Sequence, residues 1–112
     1  MRRPRHKTGI ILAALGALWA SVVGADIPAA RQTELMYLLT QDCGSCHGLT
    51  RKGGLGPALT QEALAGKPAV MLREVILHGR PGTPMPPWKS FLNEQEADWL
   101  VRVLLEGKTD AH

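Results

Sequence analysis

Cys43-Gly44-Ser45-Cys46-His47 constrains this chain more than any other stretch. Two thiols three positions apart, with an imidazole directly after the second, form the attachment signature of a c-type haem. On a helical turn Cys43 and Cys46 project to one side, so both sulfurs can add to the two vinyl groups of a single porphyrin. His47, four positions after Cys43, faces the same way and can present a ring nitrogen to the iron. Gly44 and Ser45 are small and let the backbone lie close to the macrocycle. The motif therefore implies one covalent haem c, held by Cys43 and Cys46, with His47 as an axial iron ligand.

Other uses of a Cys-x-x-Cys pair fit less well. A redox-active dithiol sits after a strand in a βαβ setting, whereas the segment before Cys43 reads as helical. A closed zinc site needs four ligands, and the chain has no second cysteine pair. A disulfide between Cys43 and Cys46 would close a very small loop and stabilise little.

The first 25 residues read as a secretory signal. Arg2, Arg3, Arg5 and Lys7 form a positive start, Ile10 to Val23 an apolar run, and Val23-Gly24-Ala25 a small-residue cleavage region. The apolar run spans 14 residues, against about 20 for a membrane-crossing helix. Retention as an uncleaved anchor is the alternative; cleavage leaves no stable membrane insertion. The leader also carries four of the 13 basic residues. Without it, nine Lys and Arg face ten Asp and Glu. The basic isoelectric point thus reports the export segment and implies no nucleic-acid partner. Domain organisation is then a signal at 1–25 and one exported monohaem domain at 26–112.

A domain of about 87 residues rarely builds a comfortable core from side chains alone, and a covalently held apolar porphyrin would serve as its centre. Residues 29–41 read as a first helix with Leu35, Leu38, Leu39 and Tyr37 on its apolar face. Gly48 to Pro57, rich in glycine, reads as a loop. Thr60 caps a short helix ending at Leu64. A helix follows over Pro68 to Leu77, burying Val70, Leu72, Val75, Ile76 and Leu77, with Gly79 just beyond it. Residues 79–89 hold four prolines and two glycines and form an ordered loop. Asn93 and Glu96 make a capping box for a last helix, which buries Ala97, Leu100, Val101, Leu104 and Leu105 and stops at Gly107. No stretch alternates at period two for long, so the fold is all-α, three to four helices around one haem.

Thioether sulfur suits low-spin haem iron, and Met85 lies in the most rigid loop of the chain, between Pro84 and Pro86-Pro87. It is the expected sixth ligand, whereas Met36 and Met71 read as core. His78 is the rival; at a helix end it also gains from the negative terminus. His6 and His112 receive no role. Arg80 and Trp88 are candidates to hold a haem propionate. Arg51, Lys52, Lys67 and Lys89 are candidates for a basic rim that steers an acidic partner, with solvated surface charge as the plain alternative.

Cys-x-x-Cys-His after a first helix, Gly56-Pro57-x-Leu59, Met85-Pro86 and a final helix bearing Trp99 together resemble class I cytochromes c. The resemblance implies that the Pro57 carbonyl accepts a hydrogen bond from axial His47, that Leu59 packs on the haem, and that the first and last helices cross, with Tyr37 or Leu38 meeting Trp99 or Leu100. Cys43 to Leu59, Leu64-Ala65-Gly66-Lys67-Pro68, and Gly79 to Trp88 are further similar to the small NirC-type cytochromes of denitrification gene clusters. That likeness implies a monomeric periplasmic electron carrier, not an enzyme. Its redox partner would be the haem c and d nitrite reductase or a maturation factor for the d-type haem. The competing class is a gas-binding sensor or small haem enzyme whose sixth position is open or easily vacated.

Overall fold

The computed structural model describes residues 26–108, together with Pro4, Gly9, Gly16 and Ala17. Apart from those four positions, the expected leader lies outside the described residues, as do His6 and His112. Among the described residues there are helices and loops and no strand.

Helix α1, Ala29–Leu38, starts after Pro28, whose fixed φ of −55° and missing N–H suit the entry to a helix. Leu35 and Met36 are buried, and Leu39 continues their stripe. The chain does not leave the helix at residue 41. It widens through a π-helical turn, Leu39–Cys43, and runs on as α2, Gly44–His47. In that turn the Gly44 amide donates to the Leu39 carbonyl five positions back. Gly44 thereby lands beneath Leu39, buried, where a β-carbon would lie 3.4 Å from the Leu49 backbone. The Cys-x-x-Cys-His motif is thus the last turns of one continuous helical run.

Helix α3, Gln61–Leu64, is capped as expected: the Thr60 hydroxyl accepts the Ala63 amide at 3.2 Å. Helix α4, Ala69–His78, begins after Pro68 and buries Leu77, with Leu72 and Ile76 partly buried against the core. Val70 and Met71 depart from expectation, being 60% and 42% exposed. Both belong to the first turn, and Met71 lies about 100° around the helix from Leu72, so the stripe that meets the core excludes it. Tyr37 is also turned outward, leaving Leu38 to pack against the cluster that holds Trp99 and Leu100.

Helix α5, Glu94–Glu106, is the element against which α1, α3 and α4 all pack. Its capping box is complete: Asn93 Oδ1 accepts the Glu96 amide at 2.8 Å, and Glu96 Oε2 accepts the Asn93 amide at 3.1 Å. Ala97, Leu100, Val101, Val103 and Leu104 are buried; Leu105 is only partly so, and Val103 takes the place expected of it. Two ion pairs tie neighbours to this helix. Arg31 Nε meets Glu96 Oε1 at 2.7 Å, joining α1 to α5, and Arg73 meets Asp98 at 3.4 Å, joining α4 to α5. Glu96 therefore caps its own helix and anchors a second one.

Candidate functional site

A helix end leaves its last carbonyls without intrahelical partners, and at α2 the following loop supplies them. The Gly56 amide donates to the Cys46 carbonyl and the Gly53 amide to the His47 carbonyl, both at 2.8 Å. Residues 48–57 are thereby folded back over the motif. That return brings the Pro57 carbonyl within 2.7 Å of His47 Nδ1. A carbonyl oxygen can only accept, so Nδ1 carries a proton, and in the neutral tautomer the lone pair is on Nε2. The bond fixes the orientation of the ring and assigns Nε2 as the nitrogen through which the imidazole would bind a metal.

Gly56 makes this approach possible. A β-carbon there would fall 2.8 Å from His47 Cε1, 2.9 Å from Nδ1 and 3.3 Å from Nε2. Leu59, partly buried against the core, is held by its amide to the Arg51 carbonyl at 2.8 Å. The Arg51 guanidinium reaches the Lys108 carbonyl, also at 2.8 Å, and ties the loop to the end of α5.

Cys43 and Cys46 are not joined in a disulfide. Burial pushes the Cys43 thiol up to about 11, with the Asp42 carboxylate adding to the shift. A thiol held neutral at physiological pH is the opposite of the lowered thiolate on which a redox-active Cys-x-x-Cys depends. Among the described residues no three His, Cys, Asp or Glu side chains group to hold a metal ion. Two cysteines and an oriented imidazole on one helical run suit covalent haem instead.

Met85 is half-buried in the loop that leaves α4. Its amide donates to the Thr83 hydroxyl at 3.3 Å, and its carbonyl accepts the Arg80 amide at 3.1 Å. The far side of the loop returns to α4, where Trp88 and Lys89 donate to the Ile76 and Leu77 carbonyls at 3.0 and 3.2 Å. Gly79 lies directly under the Met85-Pro86-Pro87 backbone. From the sequence this glycine reads only as a helix stop, because nothing local marks the distant segment that crosses it. Thr83 was likewise invisible as a partner of Met85.

The remaining candidates are placed as follows. His78 is exposed, with Nε2 3.3 Å from Glu74 Oε2 one helical turn back. Arg80 is exposed; Trp88 is partly buried and packs its ring against Phe91, centroids 5.7 Å apart. Lys52, Lys67 and Lys89 are exposed and enter no ion pair among the described residues.

Residues 30–102 match the family model described as cytochrome c oxidase, cbb3-type, subunit III. The chain is 54% identical over 106 residues to a cytochrome c55X of Stutzerimonas stutzeri, covering 95% of this chain and 93% of that one. It superposes on the solved c-type cytochrome NirC with a TM-score of 0.73 and 58% identity, covering 74% of this chain and 98% of that one. A dihydro-heme d1 dehydrogenase of Pseudomonas aeruginosa contains a region 45% identical over 70 residues, 62% of this chain but only 14% of that protein. With the helical architecture and the thiol-imidazole site above, these findings place the chain in that family of c-type cytochromes, similar to NirC and cytochrome c55X, with covalently bound haem c as its cofactor.

Proposed function

We propose that the protein is a periplasmic one-electron carrier whose single haem is bonded to Cys43 and Cys46 and ligated by His47 and Met85. The haem supplies the ferric-ferrous couple. The chain's own residues hold the ligands still while the charge changes: Pro57 fixes the imidazole and strengthens it as a donor, and the Met85 loop offers a sulfur that favours the reduced state. The potential then lies above that of a bis-histidine haem. The observation that carries this reading is the 2.7 Å contact between His47 Nδ1 and the Pro57 carbonyl, which leaves Nε2 free for iron. His78, exposed and paired with Glu74, is the weaker claimant to the sixth position. A carrier needs no general acid and no substrate pocket, so we read the protein as no enzyme. Residues 1–25 are the export signal, and the mature chain acts as a monomer.

The partner belongs to the system of the haem c and d nitrite reductase. Within it, service in making the d-type haem is favoured, because a dihydro-heme d1 dehydrogenase contains a region so like this chain. Dehydrogenation releases two electrons and two protons, so a one-electron carrier would turn over twice per product. Lys52, Lys67 and Lys89, exposed on loops, would steer an acidic partner surface, and Arg80 and Trp88 would hold a propionate. The test mixes the purified oxidised cytochrome anaerobically with the dehydrogenase and dihydro-haem d1, and separately the reduced cytochrome with nitrite reductase. Reduction of two cytochromes per haem d1 formed supports the maturation role. Transfer only to nitrite reductase supports the donor role, and transfer in neither mixture refutes a carrier of this system.

A further inference from the structure

The conformation of Gly79 and the path of the chain across it single out one position in the fold. Gly79 ends α4 at φ 70° and ψ −170°, a region of backbone space that is essentially closed to any residue with a β-carbon. A β-carbon there would also meet backbone and not a yielding side chain: the Met85 carbonyl oxygen at 2.7 Å, the Pro86 carbonyl carbon at 2.8 Å and the Pro87 nitrogen at 2.9 Å. Pro86 and Pro87 cannot flex out of the way by rotating φ. Two further bonds grip the same residue from either side, Arg80 N–H to the Met85 carbonyl and Met85 N–H to the Thr83 hydroxyl. The Thr83 hydroxyl in turn donates to the Arg80 carbonyl at 2.7 Å, which closes the turn.

We infer that Gly79 is the seat of Met85: the bare α-carbon lets the Met85-Pro86-Pro87 backbone lie against the end of α4, and this contact, locked by Thr83, is what keeps the sulfur in place and the sixth position closed. The inference rests on the reading of Met85 as iron ligand. Gly79 touches neither iron nor porphyrin; it is a positioning residue. A seat built from backbone contacts holds the loop in one conformation, so an incoming ligand must compete with an ordered sulfur and not with a mobile one. Without the seat the loop samples positions with the sulfur withdrawn, and any small donor gains in apparent affinity by the fraction of time the position is free.

The test is an imidazole titration of the ferric, haem-loaded protein as wild type, Gly79→Ala, Thr83→Val and Met85→Ala, with the sulfur-to-iron charge-transfer band followed in parallel. Wild type is expected to show the band and to bind imidazole weakly. Gly79→Ala is expected to lose most of the band and bind imidazole about tenfold more tightly or better. Thr83→Val, which removes the two bonds of the hydroxyl and leaves Gly79 in place, is expected to shift both readouts the same way to a smaller extent. A general loss of packing would lower the melting temperature and leave the affinity unchanged. Wild-type affinity and a full band in both Gly79→Ala and Thr83→Val would overturn the inference while leaving Met85 as ligand. Should Gly79→Ala fail to fold, an unchanged Thr83→Val overturns it alone. Absence of the band from wild type would instead refute Met85 ligation, and the seat with it.

Discussion

Replacing Gly56 by alanine tests how closely the axial imidazole is held. The added β-carbon would sit 2.8 Å from His47 Cε1, whereas carbon atoms pack best at about 3.5–4.0 Å. The ring must therefore retreat by roughly 0.7 Å to reach ordinary contact. Movement of that size along the line to Pro57 would stretch the present 2.7 Å bond to about 3.4 Å, beyond the range of a useful N–H···O bond. Loss of that hydrogen bond costs about 1 kcal/mol, and residual crowding in a loop pinned at Gly53 and Gly56 raises the total to about 2–3 kcal/mol. For a domain of this size the melting temperature should fall by about 8–24 °C. The weakened donor should also stabilise ferric iron less, so the reduction potential rises. Thermal unfolding and a redox titration of the ferric protein check both, with Leu55→Ala, at a position 77% exposed, as the control. A Gly56→Ala protein with unchanged melting temperature and unchanged potential would refute the argument that the glycine is there for the ring.

Glu96→Gln removes the ion pair to Arg31 while keeping an oxygen for the capping box. With the Arg31 side chain 34% exposed, the loss should be about 1 kcal/mol, read from denaturant midpoints. Arg31 holds the Glu96 carboxyl below the usual range, so its contribution is complete above the unfolded value near 4.5 and lost as pH falls through the lowered folded value. Stability should therefore drop more steeply below about pH 4.5 in wild type than in Glu96→Gln, and parallel curves would contradict this. Leu100→Ala, at the centre of α5 and 1% exposed, should cost about 2–5 kcal/mol and lower the melting temperature by about 10 °C or more.

The sequence makes the haem motif legible because covalent chemistry demands fixed spacing, and that spacing alone places Cys43, Cys46 and His47 on one turn. Helix ends were equally open to reading, since Thr60, Asn93, Glu96 and Gly107 carry their capping chemistry in their identities. The π-helical turn was not legible: Leu39 to Cys43 has no composition that distinguishes a five-residue turn from an ordinary one, and only the bond from the Gly44 amide to the Leu39 carbonyl reveals it. Val70 and Met71 were misplaced because hydrophobicity marks what can be buried, and the direction from which α5 packs decides what is. Gly79 and Thr83 escaped notice for the same reason. Their partners lie across a loop whose path is set by tertiary contact.

The account stands on covalent attachment of one haem through Cys43 and Cys46. Mass spectrometry of the protein, exported from cells with a working haem-ligation apparatus and then extracted with acidified organic solvent, measures that directly. The account predicts a chain heavier by one haem, with the added mass localised to the peptide that spans Cys43 and Cys46. A chain of bare polypeptide mass, with all colour lost to the solvent, would contradict it.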